Sequence, residues 1–363
     1  MQTKLWQLEL TKDLPAQLKE SAELIKQGEV VAFPTETVYG LGADGLNSEA
    51  CKKIFAAKGR PADNPLILHI AKKEEIYALT SSLSANAQRL IETFWPGPMT
   101  LIVPKSQIIP QVVTAGLDTV AIRMPDHPIA KTLIALAGCP IAAPSANKSG
   151  KPSPTTAQDV LQDMEGIIAG IIDGGQCQIG VESTIVDTTV AVPTILRPGG
   201  ITFEMLEAAL GAVEIDPGLL RADQKPKAPG MKYRHYAPKA EMYLVEGDDA
   251  ASGVVAFAQK ALAAGKRLGV LAAAQTVQKL PPQANLVVHA WGNTKEELAE
   301  QLFLDLRRFD QEKVDIIIGE GTTEEGLGLA IMNRMRKSAG HNIFLWQKGQ
   351  LILQSGKSPD FLC

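Results

Sequence analysis

Short apolar segments alternate with helical segments along most of this chain, and this alternation restricts the possible folds more than any other sequence feature. EVVAFPT, PLILHI, MTLIVP and TVAIRMP have the Val, Ile and Leu content of buried strands and are bounded by proline or charge. SEACKKIFAAKG and HPIAKTLIALAG have helical spacing and end at a glycine. Strands that alternate with helices predict an α/β domain whose sheet is covered on at least one face.

The same alternation continues as far as residue 212. CPIAAPS predicts another strand, and TTAQDVLQDMEG predicts a helix capped by Thr155 or Thr156. IIAGIIDGG, STIVDT and PTILRPGG predict the later strands of this domain. Residues 1–212 are therefore expected to form one domain.

The pattern breaks at residues 213–238, where prolines and charges follow no consistent period. This composition predicts a linker, and a passive tether is the simplest interpretation. The cluster KYRHY is unusual for a spacer, and the segment carries a net charge of +2. MYLVEG, RLGVLAA, NLVVHAW and VDIIIGE then alternate with helical segments, so residues 239–363 predict a second, smaller α/β domain with parallel strands.

Charge and cysteine spacing exclude some classes of protein. The net charge of −4 argues against a protein that coats nucleic acid nonspecifically, because that binding needs clustered positive charge. No apolar run approaches the ~20 residues that cross a membrane, and the first residues are not expected to form a signal peptide. The four cysteines form no CxxC pair. A cytoplasmic protein with reduced thiols is expected.

Cations and hydroxyls recur where predicted strands end. FPTETVYGLG places Thr37 after a strand, in a predicted glycine-containing turn. KGRPADNPLILH supplies Lys58, Arg60, Asn64 and His69, and its cations suit phosphate binding. Purely structural explanations exist for each residue: a helix C-terminus favours Lys58 and Arg60, and a strand histidine is often a core residue.

Three further segments have the same chemistry. Arg123 ends the apolar strand TVAIR, and its partner is either a structural carboxylate such as Asp126 or a carboxylate of the substrate. PSANKSGKPSPTT is a polar loop after a strand, which is either a solvated turn or a phosphate-binding loop. Ser183 in VESTIVD and Arg197 in ILRPGG complete the set. Together they predict a pocket for a ligand with several negative groups, and neither a two-carboxylate hydrolase nor a metal cage.

These motifs resemble the threonylcarbamoyl-AMP synthase family, which is built on a YrdC-type domain. PTETVYGLG, KGRPADNPLILH, TAGLDTVAIRMP, PSAN with PSPT, GVESTIVD and LRPGG occur in the order of the family. Lys58, Arg60, Ser145 and Asn147 match its Lys-x-Arg and Ser-x-Asn signature. The linker APGMKYRHYAP and the domain after it resemble the longer, two-domain form.

The resemblance implies a YrdC-type twisted sheet with flanking helices, followed by a Rossmann-like C-terminal domain. It implies that L-threonine, bicarbonate and ATP are converted, with Mg²⁺, to L-threonylcarbamoyl-adenylate, pyrophosphate and water. The product would pass to the threonylcarbamoyltransferase machinery that modifies adenosine 37 of tRNA, with tRNA itself a further contact and no role for a membrane.

The resemblance also assigns site residues by motif position. Lys58 and Arg60 are the implied catalytic residues, and metal ligands from side chains are not implied. The implied threonine-binding residues are Thr37, His69, Arg123, Ala143 and Ser183. The implied ATP-binding residues are Lys58, Arg60, Asn64, Thr119, Ser145, Asn147, Ser153, Arg197, Arg234, His235 and Tyr236. The last three lie in the linker, which would close over the nucleotide.

Two other functions remain open from the sequence. A carbamoyl-adenylate enzyme of hydrogenase maturation uses a similar domain, but such proteins carry zinc-finger segments, and this chain has no CxxC pair. A noncatalytic binder of structured RNA is the second alternative. The acidic net charge and the arginine on an apolar strand favour a small-molecule pocket over RNA binding.

Overall fold

The computed structural model describes residues 2–9, 13–219 and 235–362, which form two compact units. The first unit contains the described residues of 1–149 and 153–219, and the second contains 150–152 and 235–362. Both units combine strands with helices. Most of the predicted linker, residues 220–234, lies outside the described residues.

The first unit is organised around a mixed sheet of eleven strands. The strands are β1 (Lys4–Gln7), β2 (Val31–Phe33), β3 (Gly40–Asp44), β4 (Ile67–His69), β5 (Met99–Pro104), β6 (Thr119–Arg123), β7 (Ile141–Ala142), β8 (Gly170–Asp173), β9 (Thr184–Asp187), β10 (Thr194–Arg197) and β11 (Glu214–Ile215). Their order across the sheet is β1-β8-β2-β3-β7-β4-β6-β5-β9-β10-β11. β4 runs parallel to β6, and β5 runs antiparallel to β6.

The helices of the first unit are α1 (Leu14–Lys26), α2 (Ser48–Lys58), α3 (Ile76–Leu79), α4 (Ala85–Phe94), α5 (Gln111–Thr114), α6 (Pro128–Ala137), α7 (Ala157–Met164) and α8 (Phe203–Leu210). Two predicted helix ends are confirmed. Gly59 ends α2 with φ of 61°, a left-handed conformation that glycine adopts without strain. Thr156 caps α7 by accepting a hydrogen bond from the backbone N–H of Asp159.

Side chains that alternate along the strands cover both faces of the sheet. Val31 and Phe33 of β2 pack into one buried cluster with residues of α1 and α6. Ala32, which points to the opposite face, belongs to a second and larger cluster with residues of α2, α4 and α7. The prediction of an α/β domain with a covered, helix-flanked sheet is confirmed.

A small apolar cluster on the other half of the sheet positions the candidate site. It consists of Ile67, Ile102, Ala121, Ile185 and Leu196, one residue each from β4, β5, β6, β9 and β10. Their strand neighbours, such as Leu68 and Ile122, point the opposite way into the large cluster. Polar side chains at the ends of these strands border the small cluster.

Two segments differ from the sequence prediction. The glycine-containing turn expected after Thr37 is in fact strand β3, Gly40–Asp44. Glycine is needed there for packing, since a Cβ at Gly42 would lie 2.7 Å from the Phe33 ring and 2.8 Å from an Ile141 methyl. Residues 214 and 215, placed in the linker by sequence, form strand β11 beside β10.

The second unit contains a six-stranded sheet with helices on it. Its strands are β12 (Glu241–Glu246), β13 (Leu268–Ala273), β14 (Leu286–Trp291), β15 (Ile316–Glu320), β16 (Ile343–Gln347) and β17 (Gln350–Ser355). Its helices are α9 (Ala250–Ala263), α10 (Ala274–Val277), α11 (Lys295–Glu312) and α12 (Gly328–Ser338). The order is β14-β13-β15-β12-β16-β17, and only β17 is antiparallel to its neighbour. The predicted parallel, Rossmann-like arrangement is confirmed.

Among the described residues, no helix has both the length and the apolar character that crossing a membrane requires.

Candidate active site

Arg123, at the end of β6, lies in a network of buried polar contacts. Its side chain is 5% exposed. Nη1 donates a hydrogen bond of 3.0 Å to Thr37 Oγ1, and Nε donates a longer one of 3.4 Å to the carbonyl of Gly97. Nη2 lies 2.7 Å from Glu36 Oε1, although the N–H directions are not aligned for a hydrogen bond. The contact between Arg123 and Glu36 is therefore an ion pair.

This partner differs from the structural alternative suggested by sequence. Asp126 pairs with Lys131 at 2.9 Å, and its side chain is largely exposed. The buried carboxylate beside Arg123 is instead that of Glu36, which lies between the two threonines of the PTET segment.

The hydroxyls of this segment form a directed chain. Thr35 Oγ1 donates to the carbonyl of Val38 at 2.7 Å, so its contact of 2.8 Å with Thr37 Oγ1 uses the proton of Thr37. Thr37 consequently accepts from Arg123 and donates to Thr35. Towards a ligand, Thr37 Oγ1 has only acceptor capacity left.

Ser183 and Arg197 extend the network across the neighbouring strands. Arg197 donates from Nε and Nη2 to the carbonyl of Ser183, and from Nη2 to Ser183 Oγ at 3.0 Å. Ser183 Oγ also lies 2.7 Å from Thr100 Oγ1, and Thr100 is directly opposite Arg123 in the β5–β6 ladder. The Ser183–Thr100 contact therefore lies at β9 and β5, the strands between Arg197 on β10 and Arg123 on β6.

His69 and Ala143 lie on the other side of Arg123. His69 pairs with Arg123 in the β4–β6 ladder, and the N–H of Ala143 donates to the carbonyl of Ile67 in β4. Burial, and secondly the positive charge of Arg123, lower the pKa of His69 to about 3. His69 is therefore a neutral hydrogen-bonding group at physiological pH and supplies no positive charge.

This assignment predicts how His69 behaves with pH. The imidazole signals of His69 in NMR spectra should not titrate between pH 5 and 8. Its pKa in the folded state lies below the unfolded value of 6.5, so its contribution to stability is complete above about pH 6.5 and is lost as the pH falls towards 3. His69→Gln should flatten that part of the curve of unfolding free energy against pH. Titration of His69 with a midpoint near 6.5 would contradict the assignment.

Lys58 connects the end of α2 to the polar loop that follows β7. Its buried ammonium group donates hydrogen bonds to the backbone carbonyls of Ser145 and Asn147, the second at 2.7 Å. Ser145 Oγ donates to Asn147 Oδ1 at 2.5 Å. Three of the four residues of the family signature, Lys58, Ser145 and Asn147, are therefore in direct contact, whereas the fourth, Arg60, contacts other residues.

Arg60 and Asn64 lie in the stiff segment between α2 and β4. Arg60 Nη2 donates hydrogen bonds to the carbonyls of Asn64 and Pro65 at 3.1 and 3.0 Å. The segment therefore folds back on the Arg60 guanidinium. Asn64 is buried, and its Oδ1 has no hydrogen-bond partner in the described part of the chain. Asn64 Oδ1 is therefore suited to accept a hydrogen bond from a bound ligand.

Thr119 and Ser153 occupy different places from the Arg123 network. Thr119 begins β6, four residues before Arg123 and on the same face, so the two side chains are separated by about 13 Å at the usual rise of a strand. Ser153 is buried and donates to Glu182 Oε1 at 2.6 Å. The predicted residues therefore span an elongated region.

The predicted linker residues are only partly described. Arg234 lies outside the described residues. Tyr236 is buried in the second unit, where its ring stacks on Phe303 with centroids 5.1 Å apart. The guanidinium of Arg334 lies 5.8 Å from the centre of the Tyr236 ring, and the His235 ring is 5.6 Å away.

Buried polar residues of the first unit that contact members of the predicted site, but were absent from the prediction, include Thr35, Glu36, Thr100 and Glu182. Thr100 interrupts the apolar side of MTLIVP, on the same face as Ile102, which was a usable signal. Glu36 and Glu182 each adjoin a predicted residue, but nothing local indicates that their carboxylates are buried.

In the described residues, no group of three or more His, Cys, Asp or Glu side chains is arranged to hold a metal ion.

Comparison with known protein families covers both units. Residues 23–199 match a family model described as "Telomere recombination" (Sua5_yciO_yrdC). Residues 201–340 match a model described as "Threonylcarbamoyl-AMP synthase, C-terminal domain".

Individual relatives extend over nearly the whole chain. A threonylcarbamoyl-AMP synthase of Pyrococcus abyssi is 50% identical over 90% of this chain and 95% of its own length. One of Bacillus subtilis is 48% identical over 94% of this chain and 99% of its own length. The crystal structure of P. abyssi Sua5 complexed with L-threonine superposes with a TM-score of 0.89 at 46% identity, covering 96% of this chain and all of that one. This chain belongs to the threonylcarbamoyl-AMP synthase family, in its two-domain form.

Proposed function

We propose that this protein converts L-threonine, bicarbonate and ATP to L-threonylcarbamoyl-adenylate, pyrophosphate and water. The observation that carries the proposal is a pair of buried arginines, Arg123 on β6 and Arg197 on β10, with hydroxyls that contact each other at the two strands between them and a neutral histidine beside Arg123. Such a site offers fixed positive charge to anionic reactants. The family and the threonine-bound relative support the choice of reactants.

Threonine would bind at the Arg123 end of the region. Arg123 offers its guanidinium to the threonine carboxylate, Thr37 offers an acceptor, and His69, Ser183 and the backbone at Ala143 complete the pocket. Because His69 is neutral, the arginine is the source of charge recognition there.

ATP would bind along the remainder of the region. We assign phosphate and ribose contacts to the loop residues Ser145, Asn147 and Ser153, with Lys58, Arg60 and Arg197 as cations. Asn64 and Thr119 would contact the nucleoside. The separation of about 13 Å between Thr119 and Arg123 suits a product with threonine at one end and adenosine at the other.

Charge stabilisation is the main requirement of this reaction. Threonine and bicarbonate give a carbamate, and its anionic oxygen attacks the α-phosphorus while pyrophosphate leaves. Two like charges ~4 Å apart repel by ~4 kcal/mol at an effective dielectric constant near 20. Fixed arginine and lysine groups offset this repulsion, and their fixed positions avoid reorganisation during the reaction.

Mg²⁺ is proposed to accompany ATP. The described residues offer it no carboxylate cage, and Glu36 and Glu182 already contact Arg123 and Ser153. The triphosphate would therefore hold the ion, which supplies charge neutralisation when bound.

We further propose that the product serves tRNA modification. A mixed anhydride of a carbamate and a phosphate is an activated acyl donor, so a threonylcarbamoyltransferase would consume it to modify adenosine 37 of tRNA. We place this reaction in the cytoplasm, as expected from the sequence.

The function is tested by measuring pyrophosphate release from ATP without RNA. Release should require both threonine and bicarbonate. ATP turnover that is independent of threonine, or that requires added RNA, would contradict the proposal and would favour the RNA-binding alternative.

The linker is proposed to supply further nucleotide contacts, through Arg234, His235 and Tyr236. A chain that ends at Leu219 retains β11 and should keep the fold of the first unit. We expect it to lose at least about tenfold in threonine-dependent pyrophosphate release, because water would reach the labile product. Circular dichroism controls for folding. Full activity of this fragment would refute a role for the linker.

A further inference from the structure

Glu36 is a buried carboxylate that lies beside Arg123. Its side chain is 7% exposed. Within the described part of the chain, neither Oε1 nor Oε2 accepts a hydrogen bond. An ionised carboxylate in such a position is unfavourable unless donors reach it. Since the described residues donate no hydrogen bond to either oxygen, a bound ligand is suited to supply the donors.

Of the titratable groups that interact with Glu36 in the described part of the chain, Arg123 is the one in an ion pair with it. Arg123 Nη2 is 2.7 Å from Oε1. His127, at the start of α6, and Cys177, after β8, also interact electrostatically with Glu36. Burial lowers the pKa of His127 and raises the pKa of Cys177, so both favour their neutral forms at pH 7. Arg123 and Glu36 thus form a buried pair of opposite charges.

This pair is complementary to an amino acid zwitterion. An α-amino acid carries its ammonium and carboxylate groups on the same carbon, so its two charges are also a few ångströms apart. Resting on the function proposed above, we propose that Glu36 binds the α-ammonium group of threonine while Arg123 binds its carboxylate. Glu36 would then select an amino acid over the corresponding hydroxy acid.

Glu36 is also placed to accept a proton from the ammonium group of threonine, which must lose one before its nitrogen can react. The ammonium nitrogen has no free electron pair until it transfers one proton to the Glu36 carboxylate. The resulting amine forms the C–N bond to the carbon of bicarbonate, and a second N–H proton leaves with the departing hydroxide as water. The nitrogen keeps its third proton in the carbamate, and Glu36 then releases its proton to solvent.

The first test uses Glu36→Gln, which keeps the size of the side chain and removes its charge. Calorimetric titration should show threonine affinity weakened by at least about tenfold, since a charged hydrogen bond is lost. Affinity for 2,3-dihydroxybutyrate, which has a hydroxyl in place of the amine, should change much less. Asp126→Asn, in an exposed ion pair with Lys131, is the matched control and should bind both ligands like the wild type.

The second test follows activity against pH. The ratio of wild-type to Glu36→Gln activity should fall as the pH rises from 7 to 9, because a growing fraction of threonine then carries a free amine and needs no proton transfer to Glu36. Glu36→Asp, which keeps the charge, should retain the preference for threonine over the hydroxy acid.

The outcomes separate this inference from the proposed function. Equal threonine affinity in wild type and Glu36→Gln, or a ratio of activities independent of pH, would show that Glu36 only holds Arg123 in position. Failure of Glu36→Asp to prefer threonine would also overturn the inference. Failure of the wild type to bind threonine at all would instead overturn the proposed function.

Discussion

Replacing Arg123 with alanine is expected to raise the KM for threonine by about a hundredfold, while the KM for ATP changes less than about threefold. The arginine is buried at the end of β6, and its guanidinium is the proposed contact of the threonine carboxylate. Truncating one member of a buried charged pair costs ~2–5 kcal/mol, and each ~1.4 kcal/mol corresponds to a factor of ten. Steady-state kinetics with each substrate varied in turn measures both constants.

The same substitution also leaves the Glu36 carboxylate buried without its ion pair. Loss of one partner of a buried pair destabilises a fold by ~3–5 kcal/mol, so stability must be separated from binding. Arg123→Lys keeps a positive charge and should fold more stably, yet it loses the planar fork and should still raise the threonine KM. Equal increases in the KM for threonine and for ATP, in a folded Arg123→Lys protein, would contradict the assignment of Arg123 to the threonine site.

Replacing Lys58 with methionine is expected to lower kcat by about 10²–10³-fold, the effect seen when a charge-stabilising donor is removed from an active site. Threonine binding should change little, because Lys58 donates hydrogen bonds to the polar loop, whereas the proposed contact of the threonine carboxylate is Arg123. Methionine keeps the length and the apolar part of the side chain. Single-turnover formation of pyrophosphate is the appropriate measurement.

Lys148 offers a matched control for Lys58. Its Nζ donates to the carbonyl of Ala57 at 2.7 Å, so it joins the same loop to the same end of α2. Lys148→Met removes an anchoring bond of this kind without removing the proposed phosphate contact, and kcat should fall less than about fivefold. Equal losses in the two variants would mean that Lys58 only anchors the loop.

Local sequence signals predicted the elements around the site well. Gly59 and Thr156 end and begin their helices as expected, because capping depends on residues a few positions apart. The strand that carries Arg123 and the strand that carries His69 were also predicted, since their apolar residues are contiguous. These elements account for most of the α/β organisation of the first unit.

Contacts between distant parts of the chain were not predictable in the same way. The sequence left the partner of Arg123 open and suggested Asp126, which is near in the chain. In the fold, the partner is Glu36, which lies between β2 and β3. Gly40 and Gly42 suggested a turn, but the close approach of Phe33 and Ile141 explains why glycine occurs in a strand there. In each case the decisive neighbour belongs to a distant segment, so no local pattern reveals it.

Incorporation of isotope from labelled bicarbonate tests the central claim most directly. The protein is incubated with ¹³C-bicarbonate, threonine and ATP, and the small-molecule products are analysed by mass spectrometry. We predict a threonylcarbamoyl-adenylate that carries one ¹³C atom, and its loss when threonine is omitted. ATP cleavage to AMP or ADP with no labelled adenylate would contradict the proposal that this pocket unites the three reactants.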